Sequence, residues 1–273
     1  MTDSFGSDKN PAGMFNIFGR RPGALKAEPD FQGFSNNYMN IFTYTSTHEA
    51  IAQAIPAPLE PITEFPPVVS VVHLQQIDHG TMHAFDDRPT PYRELGFWVP
   101  VKYKDNYGTN IPFLYLDGPG VDIAVIGGRE VLGHPKCIAD IHTVRDGDSF
   151  NSTVVRGGRL IVQMEMTVKE ETPVEGSLFA DMGACLNVKE IPSCDFQGYD
   201  VRKIIEHQMG VGSTTHKVWN AEGSITLGGT PNDPVSMLEI VEMGPCFQVW
   251  SDSDPGTANI SPENVRVVED LLK

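Results

Sequence analysis

The clearest pattern of hydrophobic and polar residues in this chain is a strict alternation over residues 159–169. Its apolar members are Leu160, Val162, Met164, Met166 and Val168. Because successive side chains of a strand point to opposite faces of a sheet, the alternation predicts a half-buried antiparallel strand. Aromatic and β-branched runs predict further strands at residues 38–45, 67–77, 96–103, 111–116, 185–191, 201–207, 214–219, 224–227, 236–243 and 247–250.

Helical patterns are rare. Ser46 and Glu49 form a capping box before an apolar stripe, which predicts a short helix that ends at Pro56. Near the C-terminus, Ser261 is expected to cap a second helix with Pro262 in its first turn. The apolar stripe of this second helix would be Val265, Val268, Leu271 and Leu272. The polar segment 78–95, which contains two prolines, predicts a loop.

Many strands at short spacing with few helices predict a mostly β (α+β) protein, and the pattern alone does not choose between a sandwich and a barrel. Residues 1–30 are rich in Gly, Pro, Ser, Asp and Lys, so we expect a flexible N-terminal tail. No linker composition interrupts residues 31–273, which we interpret as a single domain.

The net charge and the cysteine content limit which partners and which cellular compartment we expect. Lys and Arg number 20 and Asp and Glu 36, a formal charge of −16, so nucleic acid and anionic membranes are not expected partners. The N-terminus lacks a charged segment followed by an apolar run, and no apolar run reaches membrane-spanning length, so we expect a cytoplasmic protein. The chain contains four cysteines, Cys137, Cys185, Cys194 and Cys246. We expect all four to be free thiols.

A candidate for chemistry lies in the segment 128–137, which reads GREVLGHPKC. It follows an apolar run, residues 121–126, that predicts a buried strand ended by paired glycines. Gly133 and Pro135 predict a rigid bend immediately before Lys136. We expect burial beside the strand to lower the pKa of Lys136, which would give the neutral amine that nucleophilic chemistry needs.

This segment resembles the acetoacetate decarboxylase family, which carries Gly-Arg-Glu, a spacer of the same length, and then aromatic-Pro-Lys-Lys. The matching residues are Gly128-Arg129-Glu130 and Pro135-Lys136. Upstream, the order of strand, short helix and Pro-x-Pro-Leu exit also matches, at residues 56–59. The resemblance covers roughly residues 31–273 and implies a cone-shaped, closed β-barrel wrapped by antiparallel sheet. It also implies self-association into homo-oligomers.

The same resemblance implies a site. Lys136 would form a Schiff base with a ketone. Glu94 matches the glutamate of the family's Tyr-x-Glu-x-Gly motif and would transfer protons. His134, Asn37 and Arg129 are the candidate substrate-binding residues. For His134 the alternative is a structural histidine, and for Arg129 it is an ion pair that braces the bend.

The sequence also departs from the family pattern. His134 replaces an aromatic residue, and Cys137 replaces the second lysine, whose charge would help to lower the pKa of Lys136. Asn37 aligns with an arginine suited to a substrate carboxylate, and Val72 aligns near a second glutamate. These changes bear on which substrate is used, and they leave the Schiff-base lysine in place.

We therefore expect a cofactor-free lyase that decarboxylates a β-keto acid through a lysine iminium. Two alternatives remain open, an aldolase-dehydratase that uses the same lysine on a pyruvate-like substrate and a non-catalytic barrel that binds a small ligand. A lowered pKa of Lys136 would favour the enzyme over the binder. His79, His83 and neighbouring aspartates are metal-ligand types, but no further motif supports them, so we expect no metal.

Overall fold

The computed structural model describes residues 31–82, 92–119, 121–174, 183–208, 213–253 and 264–273. Most of these residues lie in strands, which confirms the predicted mostly β class. The predicted tail, residues 1–30, lies outside the described residues. Within the described ranges, no helix is long and apolar enough to cross a membrane, and all four cysteines are free.

Among the described residues, fourteen strands make up one sheet. They are β1 (Phe31–Thr45), β2 (Glu60–Pro61), β3 (Val68–Met82), β4 (Arg93–Tyr103), β5 (Asn106–Asp117), β6 (Lys136–Ile138), β7 (Asp140–Asp146), β8 (Ser149–Arg156), β9 (Arg159–Thr172), β10 (Ala184–Pro192), β11 (Tyr199–Gln208), β12 (Ser213–Leu227), β13 (Glu242–Ser253) and β14 (Val265–Asp270). The helical elements are α1 (His48–Ala54), α2 (Val121–Gly127), a π-helical turn (Gly128–Leu132) and a 3₁₀ turn (Val235–Met237).

The strand order is β14-β11-β10-β5-β4-β3-β1-β13-β12-β9-β8-β7, with β2 beside β4 and β6 beside β5. All pairs are antiparallel except β5 with β6 and β5 with β10. No pairing between described residues joins β14 to β7, so the closed barrel that the resemblance implied is wrong in that detail. One residue pair, Cys185 with Thr109, joins β10 to β5, so this junction contributes few hydrogen bonds.

The central strands bury both of their faces. One face, which we call the core face, carries Phe42, Val71 and Phe97 and packs against Phe150 of β8 in the largest hydrophobic cluster. The opposite face packs against α2 through Ala124, and its apolar residues include Val72, Leu114 and Leu116. Because side chains alternate between the two faces, the same strands contribute residues to two separate hydrophobic clusters.

The alternating segment 159–169 is confirmed as part of β9, and the runs 214–219 and 224–227 are parts of one strand, β12. The strand predicted for residues 236–243 is wrong over most of its length. Val235 to Met237 form a turn, and β13 begins at Glu242. The hydroxyl of Tyr44 donates to the carbonyl of Leu238 at 2.9 Å, so this segment packs as an irregular connection.

The predicted C-terminal helix is also wrong, because residues 265–270 form β14. β14 pairs antiparallel with β11, from Val265 opposite His207 to Asp270 opposite Lys203. Pairing with an exposed strand edge satisfies the backbone of this segment and outweighs a weak helical propensity. The proposed cap, Ser261, and Pro262 lie outside the described residues.

Helix α1 confirms the short helix, but its cap lies one residue later than predicted. The hydroxyl of Thr47 accepts a hydrogen bond from the backbone N–H of Ala50 at 3.1 Å. The backbone N–H of Ser46 donates instead to the carbonyl of Pro67. Ser46 therefore ties the chain to the start of β3, and Thr47 begins the helix.

The apolar run 121–126 forms helix α2, so the predicted buried strand is wrong. Val121, Ala124 and Val125 pack against the cluster below them, at the spacing that one helix face requires. Helix α2 ends at Gly127, the first of the paired glycines, and the chain continues directly into the π-helical turn as far as Leu132. A short run that is apolar except for Asp122 fits a strand and a buried helix equally well, which is why its pattern misled.

The predicted loop 78–95 is shorter than expected. Strand β3 extends to Met82, and β4 begins at Arg93, so Glu94 lies in a strand. Residues 83–91 lie outside the described residues, and with them His83 and the two neighbouring aspartates of the rejected metal cluster.

Candidate active site

Strand β5 carries the pairings that bring Lys136 and Glu94 together. Its residue Leu114 is the Cα partner of Lys136 in β6 and of Gly96 in β4. Two residues along β5, Leu116 is the partner of Glu94. Because side chains alternate along a strand, Lys136 and Glu94 point to the same side of the sheet. This is the side that packs against α2, and we call it the lysine face.

Lys136 and Glu94 form a buried ion pair. The Lys136 Nζ donates to Glu94 Oε2 at 2.8 Å, and the two side chains are only 11% and 10% exposed. Little water remains to screen the two charges, so each is stabilised mainly by the other. The structure thus brings together the two residues that the sequence singled out for catalysis.

The chain around Lys136 is shaped to hold its side chain. A Cβ added at Gly128 would lie 2.4 Å from the Cδ of Lys136 and 2.6 Å from its Cε, so any larger residue there would force the lysine side chain to move. Gly133 ends the π-helical turn at a φ of +75°, a conformation that favours glycine. The Nζ also lies 5.6 Å from the centre of the Tyr92 ring. The predicted bend before Lys136 is therefore present, with a helical turn in front of it.

The pKa of Lys136 is raised, contrary to our expectation. Burial is the largest single influence and lowers the pKa, but the charges of Glu94 and Tyr92 and the hydrogen bond to Glu94 together outweigh it. In the free protein the amine is thus protonated and paired. Glu94 already lies within hydrogen-bond distance, so transfer of the proton to its carboxylate would give the neutral amine.

His134 is buried beside this pair. Its backbone N–H donates to the carbonyl of Gly128 at 3.0 Å, and its Nδ1 lies 3.4 Å from the Nδ2 of Asn187. Burial, followed by the charges of His207 and Lys136, holds the pKa of His134 well below its usual range. The ring is therefore neutral near pH 7, and it is fixed by side-chain and backbone contacts together.

Asn37 lies on the lysine face as well. Glu94 pairs with Leu74, and Leu74 pairs with Met39, which stands two residues from Asn37 in β1. Asn37 is 7% exposed, and its Oδ1 is buried with no hydrogen-bond partner among the described residues. This open polar atom keeps Asn37 a candidate for contact with substrate.

Arg129 and Cys137 are placed less favourably for the site. Arg129 is exposed in the π-helical turn, and its guanidinium forms no ion pair within the described ranges. The bracing ion pair is therefore not observed there. Cys137 pairs with Tyr115 of β5, so it points to the face opposite Lys136. Its thiol lies 3.6 Å from the carbonyl oxygen of Pro135.

Sequence reasoning missed three buried polar residues around His134, namely Asn110, Asn187 and His207. Asn110 Nδ2 lies 3.4 Å from Asn187 Oδ1, and the His207 ring lies 5.1 Å from the His134 ring. The available signal was an amide inside the apolar strand 185–191. Such a residue needs a buried partner, but the partner is distant in sequence.

Comparison with known proteins now identifies the family. A model of the acetoacetate decarboxylase family matches residues 20–252, most of the chain. The chain belongs to the acetoacetate decarboxylase family. This family supports an enzyme of the Schiff-base lyase type in general, and it gives the buried Lys136–Glu94 pair a chemical context.

Individual relatives of the family differ in what they do. "Acetoacetate decarboxylase 3" of Mesorhizobium japonicum is 29% identical over 78% of this chain and 77% of its own length. The "CLA biosynthesis isomerase" of Lactiplantibacillus plantarum is 30% identical over 78% of this chain and 76% of its own. The crystal structure of an acetoacetate decarboxylase from Legionella pneumophila superposes with a TM-score of 0.72, at 22% identity, over 98% of this chain and 100% of its own.

Proposed function

We propose that this protein decarboxylates a β-keto acid of the acetoacetate type through a Schiff base on Lys136. The observation that carries the proposal is the buried contact of 2.8 Å between Lys136 Nζ and Glu94 Oε2. A lysine and a carboxylate at this distance can exchange a proton without rearrangement, which the first step of the reaction requires.

Formation of the Schiff base uses both residues. Lys136 passes a proton to Glu94, and the neutral amine attacks the carbonyl carbon of the substrate to give a carbinolamine. Glu94 returns the proton to the carbinolamine hydroxyl, which leaves as water. The product is an iminium, whose positive nitrogen replaces the ammonium of the resting ion pair. Glu94 ends as a carboxylate and continues to stabilise that charge.

The iminium then accepts electrons. The bond between the α-carbon and the carboxylate carbon breaks, carbon dioxide leaves, and the electron pair moves through the α-carbon to the nitrogen, which gives an enamine. The α-carbon takes up a proton and the iminium re-forms. Addition of water then releases the ketone and restores the amine of Lys136. No cofactor is needed at any of these steps.

A second candidate is isomerisation of an unsaturated ketone through the same lysine. The observation that favours it is the 30% identity to a protein named as an isomerase. Loss of a proton from an iminium gives a dienamine, and its return at another carbon moves the double bond. Aldolase-dehydratase chemistry on a pyruvate-like substrate also needs the Lys136 iminium and stays a prediction.

Reductive trapping tests the shared step. The protein is incubated separately with acetoacetate, pyruvate and an enone, borohydride is added, and intact and peptide masses are recorded. We expect a ketone-sized adduct on the peptide that contains Lys136, and none in Lys136→Ala. The matched control is Lys217→Ala, which removes an exposed lysine that also pairs with a glutamate. Release of carbon dioxide from acetoacetate distinguishes decarboxylation from isomerisation.

The non-catalytic alternative makes the opposite prediction. A barrel that only binds a small ligand would give no borohydride-stable adduct on Lys136 with any of the three probes. That result would remove the Schiff-base proposal, whatever the family does elsewhere.

A further inference from the structure

A pair of buried histidines stands beside the candidate lysine. His207 of β11 and His134 are 1% and 4% exposed, and their rings meet edge to face at 5.1 Å. The charge of Lys136 acts on both rings, since it contributes to lowering the pKa of each. His207 has no role in the Schiff-base steps proposed for Lys136 and Glu94.

The register of the sheet places His207 on the lysine face. Its Cα partner is Cys185 of β10, which lies in the cluster packed against α2 together with Leu116, the partner of Glu94. Burial raises the pKa of Cys185 to about 12, and the Glu94 charge adds to that rise. Cys185 is thus paired with His207 across the sheet and lies within range of the Glu94 charge.

The two imidazoles differ in their hydrogen bonds. Asn187 Nδ2 donates to the carbonyl of Leu132 at 3.1 Å, while Asn187 Oδ1 accepts from Asn110 Nδ2. This orientation presents an N–H to His134 Nδ1, so that nitrogen accepts and the proton of the neutral ring is on Nε2. His134 is thus locked in one tautomer by its surroundings.

His207 is not locked in this way. Its Nδ1 is buried and has no hydrogen-bond partner among the described residues. Buried polar atoms are nearly always paired in proteins, so one without a partner needs an explanation. Here the ring that carries the unpaired atom packs against His134, two residues before the lysine expected to bind substrate covalently, which makes the substrate itself the natural partner.

We propose that His207 is a further substrate-binding residue whose free ring nitrogen hydrogen-bonds the carboxylate of a keto acid joined to Lys136. This inference rests on the proposed Schiff-base function and names the group that selects acids over simple ketones. The family resemblance aligns Asn37, which brings no charge, with the arginine suited to a substrate carboxylate. Arg129 is exposed. His207 can donate an N–H and can gain a proton once a carboxylate lies beside it.

The experiment compares acids with their neutral counterparts. Half-maximal concentrations for borohydride trapping are measured for acetoacetate against acetone and for pyruvate against methyl pyruvate. In His207→Phe we expect the concentration for both acids to rise about tenfold or more, because a charge-assisted hydrogen bond is lost. The values for both neutral probes should stay within about twofold. His207→Asn, which keeps a donor, should recover part of the loss for the acids.

Two controls keep the result interpretable. His142→Phe changes an exposed histidine on β7 and should leave all four concentrations unchanged. His207→Asn also serves if the phenylalanine variant does not fold, as judged by circular dichroism. Equal effects of the His207 variants on acids and neutral probes, or no effect on either, would overturn the inference. Absence of trapping in the wild-type protein would instead overturn the Schiff-base function on which it rests.

Discussion

Two lysine–glutamate pairs in this sheet have nearly the same local geometry. Lys136 and Glu94 are 2.8 Å apart, and Lys217 of β12 and Glu171 of β9 are 2.9 Å apart. Each lysine also has an aromatic ring near its nitrogen, Tyr92 at 5.6 Å and a tryptophan at 5.7 Å. The pairs differ in burial, with side chains 11% and 10% exposed in the first and 43% and 51% in the second.

That difference decides what each pair can do. Water screens the exposed pair, which is worth roughly 0–1 kcal/mol and leaves its lysine an ordinary surface cation. In the buried pair each charge depends on the other, and removal of one partner leaves the other uncompensated. Contact distance alone therefore does not mark a reactive lysine. We expect burial together with a proton acceptor within reach to do so.

The largest expected effect is on the free energy of unfolding, and it should differ between variants of Glu94 and of Glu171. Glu94→Gln keeps the shape of the side chain but leaves the Lys136 ammonium buried without its counter-charge. We expect the free energy of unfolding at pH 7 to fall by roughly 3 kcal/mol. The matched change Glu171→Gln should lower it by less than about 0.5 kcal/mol. Urea unfolding of both variants and the wild type measures the two differences.

The pH dependence of the Glu94→Gln effect identifies its cause. The pKa of Lys136 is raised above its ordinary 10.5 in the folded wild type, so its contribution is fully present below 10.5 and is lost as pH rises through the folded pKa. In the variant both contributions of Glu94 are lost, and burial, the largest single influence, lowers this pKa. The variant therefore becomes relatively more stable as pH approaches 10.5. The difference in free energy of unfolding between the wild type and Glu94→Gln should therefore become smaller as pH rises. A constant gap would indicate lost packing instead of a lost ion pair.

A smaller effect is expected from the glycine that holds the lysine. In Gly128→Ala the new Cβ would meet the Lys136 Cδ at 2.4 Å, so the side chain must move. A displacement of the amine by about 1 Å should slow borohydride trapping by tenfold or more. The loss of stability should be about 1–3 kcal/mol, as for other overpacked sites.

Gly147→Ala is the control for the glycine variant. Gly147 has a φ of +56° and open space around a Cβ, so the change strains the backbone without touching a neighbour. We expect a stability loss of about 1 kcal/mol and an unchanged trapping rate. If both variants slowed trapping equally, general destabilisation would explain the effect and the contact with Lys136 would not.

The candidate catalytic residues could be singled out from the sequence because they lie in short local motifs. Lys136 follows a bend that Gly133 and Pro135 specify, and those residues are adjacent to it in the chain. Glu94 was recognised through a motif of five residues. The mostly β class followed equally from local patterns, since alternation and strand composition are properties of a few consecutive residues.

Properties that depend on distant residues could not be obtained in this way. The pKa of Lys136 was predicted with the wrong sign, because it depends on a carboxylate brought within 2.8 Å by the pairing of β4, β5 and β6. Likewise, β14 became a strand because β11 offers it an edge, and α2 is a helix because a sheet lies beneath its apolar side. Self-association stays a prediction, since the structure contains one chain.

Apart from the control variants, the smallest expected effect at neutral pH concerns the core face. His73 of β3 is 0% exposed, lies 5.2 Å from the Phe150 ring, and has no hydrogen-bond partner on either ring nitrogen within the described ranges. Burial, and then the charge of Arg93, lowers its pKa to about 3. Because no partner is lost, His73→Leu should change the free energy of unfolding at pH 7 by less than about 1 kcal/mol, in the stabilising direction.

Acid should enlarge the difference that His73→Leu makes. The unfolded His73 takes up a proton near its ordinary pKa of 6.5 while the folded one resists until about 3, so its contribution is present above 6.5 and is lost as pH falls towards 3. The leucine variant has no such group and does not undergo that loss. Its free energy of unfolding relative to the wild type should therefore be about 2 kcal/mol higher at pH 5 than at pH 7. Urea unfolding at the two pH values measures this. An unchanged difference would mean that His73 has a partner that stabilises its charged form. In that case the buried groups on both faces would depend on partners, Lys136 on the lysine face and His73 on the core face.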